Sequence, residues 1–152
     1  MVTFDTMSFI WGIQQTSRPS QSHMIDWTRQ LIKDLDKRIK ISITSIVIGE
    51  YLAHFDADDL AVQLASIQRD FVVLPYDARA ASIAAQLWQK RHEIADPPKR
   101  NVLKADIQIL GCAIAGGAKT IYSHDEDIHK LATISGQIIA KNITDPSSGK
   151  LF

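Results

Sequence analysis

The chain has 152 residues, 45% of them hydrophobic, which is enough for one domain with a real core and too few for two. Seventeen basic residues balance seventeen acidic ones, so no global positive field gathers nucleic acid and any such binding needs a local patch. The single cysteine, Cys112, rules out an internal disulfide and a cysteine-rich zinc site, suits a reducing cytosol, and reads as a small buried apolar residue.

In chain order, "VTF" (2–4) reads as a short strand broken by Asp5, laid down in the middle of a sheet. The N-terminal stretch lacks a basic n-region, so it is no secretory signal, and no apolar run reaches the ~20 residues of a membrane span. The expectation is a soluble, cytoplasmic protein. After the turn-like "RPSQS", residues 23–38 place Ile25, Thr28, Ile32 and Leu35 at helical spacing with Arg29, Lys33 and Lys37 outward. "IKISI" is a strand, and Thr44 or Ser45 caps a helix carrying Glu50. "FVVLPYD" (71–77) is a strand ended by Pro75, "ARAASIAAQLWQKRHEI" a helix, and "ADPPKRN" a loop enforced by paired prolines. "VLKADIQILGCAIAGG" is a helix stopped by Gly116 and Gly117; "KTIYS" is a strand, "EDIHKLAT" a short helix and "QIIAKNI" a last strand. Alternating strands and helices predict an α/β protein with a central parallel sheet covered on both faces. One domain over 1–145 and a loosely packed tail over 146–152 are expected.

Active sites of open parallel sheets gather at the carboxyl ends of strands. Asp5 follows the first strand, Glu50 lies early in the helix after the second, Asp106 sits near the start of its helix, and Asp125 follows "KTIYS". Singly, each has an ordinary reading: a strand terminator, a solvated helix residue, a first-turn acid, an N-cap. Together they form a cluster of like charge that is costly without a cation, and carboxylate oxygens suit hard ions, magnesium above all.

"VTFDTMSFI", "SITSIVIGEYL" and "KADIQILGCAIAGGAKTIYSHDEDI", in that order, resemble a PIN domain, most closely the single-domain VapC-type toxin ribonucleases. The resemblance spans nearly the whole chain. It implies a three-layer α/β/α PIN-like fold and a Mg2+- or Mn2+-dependent endoribonuclease with Asp5, Glu50, Asp106 and Asp125 as catalytic metal-binding acids. It further implies Asp127 as an additional metal ligand, Ser123 as the accompanying hydroxyl, RNA as substrate, a small antitoxin as partner, and a homodimer. The sequence departs from the family pattern at Met7, where Ser or Asn is common, with Thr6 and Ser8 as the nearby hydroxyls. It departs again at Ile128, where an aromatic is common.

Glu126 reads as a first-turn helix charge. Five histidines include His124 and His129, which are five apart and so not paired on one helix face; a zinc site is not expected, and His124 reads as an exposed loop residue. Lys99, Arg100 and Lys104 form either a solvated loop or a phosphate-guiding, substrate-binding patch beside the metal. Trp11, Trp27 and Trp88 read as packing residues ahead of base-stacking platforms. Against the RNA endonuclease stands a catalytically silent PIN-like interaction domain. A phosphoaspartate enzyme fits poorly, because "DTMS" lacks a second Asp two residues after the first.

Overall fold

The structure, a computed structural model, describes residues 1–148 other than 36, 95, 97 and 98. Five parallel strands, β1 (Val2–Phe4), β2 (Ile41–Thr44), β3 (Val72–Leu74), β4 (Thr120–Tyr122) and β5 (Ile139–Lys141), form one sheet in the order β3-β2-β1-β4-β5. β1 is central, in the middle of the sheet. The chain builds outward from β1 through β2 and β3, then returns to add β4 and β5 on the other side. The reversal of strand order therefore falls between β1 and β4, the place where the fold opens a crevice at the carboxyl edge.

Seven α-helices are described: α1 (Thr6–Phe9), α2 (Ser22–Leu35), α3 (Ser45–Leu52), α4 (Ala57–Asp70), α5 (Ala78–Lys90), α6 (Arg100–Ala115) and α7 (Glu126–Ser135). They cover both faces of the sheet in a three-layer α/β/α arrangement. The sheet interior is apolar and β-branched: Val2, Phe4, Ile41, Ile43, Leu74 and Ile121 are all buried. Two buried hydroxyls tie β1 to β2: Thr3 Oγ1 donates to the Ser42 carbonyl (3.0 Å) and Ser42 Oγ to the Val2 carbonyl (2.8 Å). None of the described helices is long and apolar enough to cross a membrane.

α6 is the element the site depends on. It ends as the paired glycines predict: the Ala118 N–H bonds the Ala113 carbonyl (2.9 Å) and the Gly117 N–H the Ile114 carbonyl (3.0 Å). Gly117 takes φ +83°, a left-handed conformation that closes a Schellman motif. At mid-helix, Gly111 lets α6 lie against α5, because a Cβ there would sit 2.7 Å from the Ala80 carbonyl oxygen.

Several details differ from expectation. The second helix stops at Leu35 rather than running to 38. Two stretches without an assigned element are helical: α1, continued by a π-turn over Ile10–Gln14, and α4, capped by Asp56, whose carboxylate accepts the Asp59 N–H (3.0 Å). α7 runs to Ser135, and the Gly136 that follows takes the left-handed cap. The proline pair 97–98 and the last four positions of the tail lie outside the described residues. Within the tail, Ser147 and Ser148 fold into a turn on Asp145.

Candidate metal centre

Asp5 leaves β1 and caps α1: its Oδ1 accepts the Ser8 N–H (2.8 Å). Its Oδ2 accepts the hydroxyl of Ser123, which leaves β4, so one carboxylate spans the crevice between the two central strands. Ser123 is fully buried, and its Oγ also accepts the Asp125 N–H (3.0 Å). Asp125 in turn caps α7, accepting the Asp127 N–H (2.8 Å). Thr44 caps α3 through the Val47 N–H (3.3 Å) and directs that helix so that Glu50, in its second turn rather than early, accepts the Thr6 hydroxyl.

Asp106 lies in the second turn of α6, inside the helix and past the first-turn position where the macrodipole favours an acid. It is buried, 8% exposed, and its Oδ2 has no hydrogen-bond partner. An oxygen left so costs about 1–3 kcal/mol unless something else satisfies it. Burial pushes the Asp106 carboxyl up to about 8, with the charges of Asp125, Asp127, Asp5 and Glu50 adding to the rise in that order. Burial likewise raises Asp5, against the lowering effect of its bonds to Ser123 and Ser8. Burial and the Asp125 charge raise Asp127, with Lys130 opposing.

The other four acids are thus all within electrostatic reach of Asp106. Asp106, Asp125 and Asp127 go further: each offers one carboxylate oxygen, and these lie within 4.8 Å of one another. Oxygens on opposite sides of a magnesium ion stand about 4.2 Å apart, so the three are within a small side-chain adjustment of one coordination sphere. An oxygen-only donor set with a buried, unpartnered carboxylate oxygen fits a hard divalent cation. Asp127, whose part in the site rested on resemblance alone, is in this triad. Asp5 and Glu50 stand beside it, each already bound to a hydroxyl and each with further lone pairs.

A PIN domain profile matches residues 2–134. The chain belongs to the PIN domain family. Solved structures sharing the PIN fold include VapBC-1 from nontypeable Haemophilus influenzae, with a TM-score of 0.66 and 12% identity over 95% of this chain and 100% of that one. VapBC2 from Rickettsia felis bound to a promoter DNA fragment gives 0.63 and 15% over 95% and 100%. DNA-bound VapBC from Salmonella typhimurium gives 0.61 and 17% over 94% and 98%. A search of curated proteins finds no match.

In this PIN domain neither departure from the family pattern falls on one of the acids. Met7 is 42% exposed and takes no part in the acids' hydrogen bonds, which use Thr6 and the Ser8 N–H. Ile128 is buried in the core. Trp11 is also core, 3% exposed, and packs edge-on to His124 at 5.6 Å. Lys99, Arg100 and Lys104 are all exposed, and Arg100 and Lys104 line a cleft between α5 and α6 that has none of the acids in its wall.

His129 is the contributor that reading from sequence missed: its Nε2 donates to the Ser123 carbonyl (2.7 Å) and so holds the serine that holds Asp5. The available signal was its spacing, four residues after Asp125 and on the same face of α7.

Proposed function

We propose that this PIN domain is a metal-dependent endoribonuclease that hydrolyses RNA phosphodiester bonds, and that it is the toxin of a toxin–antitoxin pair. The observation that carries the proposal is the gathering of Asp106, Asp125 and Asp127, one carboxylate oxygen of each within 4.8 Å of the others, together with the buried, unpartnered Oδ2 of Asp106. These three residues would hold Mg2+ or Mn2+, and Asp5 and Glu50 would complete the acidic wall. The cation, when bound, supplies positive charge that lowers the pKa of water and steadies charge building on a phosphate.

The chain's own residues do the positioning. Ser123 and the Ser8 N–H fix the Asp5 carboxylate, Thr6 fixes Glu50, and the α7 cap fixes Asp125 relative to Asp127. Crowding keeps the acids from all ionising without a cation, so binding of one is coupled to loss of the proton on Asp106. Lys99, Arg100 and Lys104 serve substrate binding through phosphate contacts, which position a nucleic acid without reading it.

The fold shared with VapBC assemblies supports the antitoxin partner. A homodimer is proposed on the apolar side of α2, where Trp27 and Leu31 stay half-buried at a cleft of about 450 Å³. Trp11 takes no part in it, being spent in the core. Cytoplasmic location follows from the same reading. Purified protein should cut single-stranded RNA only with added Mg2+ or Mn2+. Expression in a bacterial host should arrest growth unless a short neighbouring reading frame is co-expressed. Cleavage insensitive to EDTA would reject the metal mechanism, and intact RNA at saturating metal would favour the silent interaction domain.

A further inference from the structure

A cleft of about 580 Å³ runs along the seam of α5 and α6. Two aromatic residues, Tyr76 and Trp88, and two cations, Arg100 and Lys104, face into it, and among the described residues its wall includes no carboxylate. Trp88 is half-buried, with the Arg91 guanidinium 4.0 Å from its ring centroid and that of Arg100 at 5.6 Å. In a chain of zero net charge whose acids crowd elsewhere, this is a local concentration of positive charge around aromatic surface.

That chemistry matches an unpaired nucleic-acid strand, which offers base faces to aromatic rings and phosphates to cations. A protein partner would use the same Tyr, Trp and Arg, which are enriched at interfaces, but not Lys104, because lysine is depleted there. Placement narrows the occupant further. Lys104 and Asp106 are two residues apart, about 200° around the helix, so cleft and carboxylates lie on opposite sides of an element roughly 10–12 Å across. A strand touching both must bend over the first turn of α6. A flexible single strand can do so.

We infer that the α5–α6 cleft is a subsite for an unpaired RNA segment flanking the bond to be cut, with bases against Trp88 and Tyr76 and phosphates on Arg100 and Lys104. The inference rests on the ribonuclease reading for its substrate, and its test does not need cleavage. Affinity for a short labelled oligoadenylate is measured by fluorescence anisotropy in EDTA, across a salt series, for the full chain and two variants. In Arg100→Ala/Lys104→Ala the slope of log affinity against log salt should fall by about 0.7 for each phosphate that is no longer neutralised. Trp88→Leu, which keeps apolar volume in the seam, should weaken binding about tenfold or more. A thermal melt confirms that each variant is folded.

Unchanged affinity and slope in both variants would overturn the subsite. So would equal affinity for a duplex, or wild-type RNA affinity in variants that have lost self-association, which would assign the cleft to a second copy of the chain. If the wild type never cleaves but the variants lose RNA binding, the subsite stands and the nuclease reading fails. Normal metal-dependent cleavage with unaltered binding in the variants gives the reverse.

Discussion

The Ser123 hydroxyl donates to Asp5 Oδ2 across 118 residues of sequence, joining the carboxyl ends of the two central strands at the reversal of strand order. This bond favours the ionised form of Asp5, which burial disfavours. Ser123→Ala should therefore destabilise the protein by about 1.5–3 kcal/mol at neutral pH, the range for hydrogen bonds to charged groups. Asp5 would rise further without its donor. A raised acid destabilises the fold only where the unfolded chain has already ionised, so the gap between variant and wild type should narrow as pH falls toward the ordinary carboxylate range. Denaturant unfolding at several pH values checks this. A loss that does not vary with pH would assign the bond a purely packing role.

Asp106→Asn keeps shape while removing one charge and one prospective ligand. In EDTA its stability should match or exceed that of the wild type, because the acid it replaces is repelled by four neighbours. Added Mn2+ should raise the wild-type Tm more than that of the variant, since a ligand of the folded state stabilises by mass action. A variant less stable in EDTA with an unchanged metal response would mark Asp106 as structural.

The pH dependence of the same pair has a definite sign. The Asp106 carboxyl sits at about 8 in the fold and in the ordinary carboxylate range when unfolded. The unfolded chain releases this proton first, so wild-type stability without metal falls as pH rises through that interval. The fall levels off above about 8. Asp106→Asn lacks this contribution. Its advantage should grow from near zero at about pH 4 to a few kcal/mol, on the order set by a shift of several pH units, at about pH 8. Parallel stability curves for the two proteins would show that Asp106 does not titrate as described.

Two helical glycines should respond oppositely to Ala. At Gly49 an added Cβ meets nothing within 4 Å, so Gly49→Ala should stabilise by about 0.5–1 kcal/mol through helix propensity. At Gly111 the same methyl meets the Ala80 carbonyl at 2.7 Å and Ala84 Cβ at 3.2 Å. Overpacking of this kind costs about 1–3 kcal/mol and should outweigh the propensity gain. Thermal melts of the two variants should move in opposite directions.

The strands were legible from alternation and β-branching, and the acids at strand ends from the geometry of parallel sheets, because both signals are local. Asp5 and Asp125 are recognisable for that reason. α4 went unassigned although Asp56, Asp58 and Asp59 mark a helix start, since its Leu60 and Val62 are exposed and blur the apolar stripe. The π-turn at Ile10–Gln14 breaks the helical period that would reveal it. Arg100 and Lys104 look close to Asp106 in sequence, yet helical rotation carries them to another face. Asp127 shows the converse: its place beside Asp106 depends on how α7 packs against α6, a tertiary fact that no spacing in the chain expresses.

The central claim is that these carboxylates hold a divalent cation used to hydrolyse RNA. Its most direct test is cleavage of a single-stranded RNA by wild type and Asp106→Asn across a Mn2+ titration, with EDTA as the zero point. The account predicts no cleavage in EDTA, a saturable rise with Mn2+ in the wild type, and a rate lower by orders of magnitude in the variant. Equal cleavage by the two proteins across the titration would contradict it.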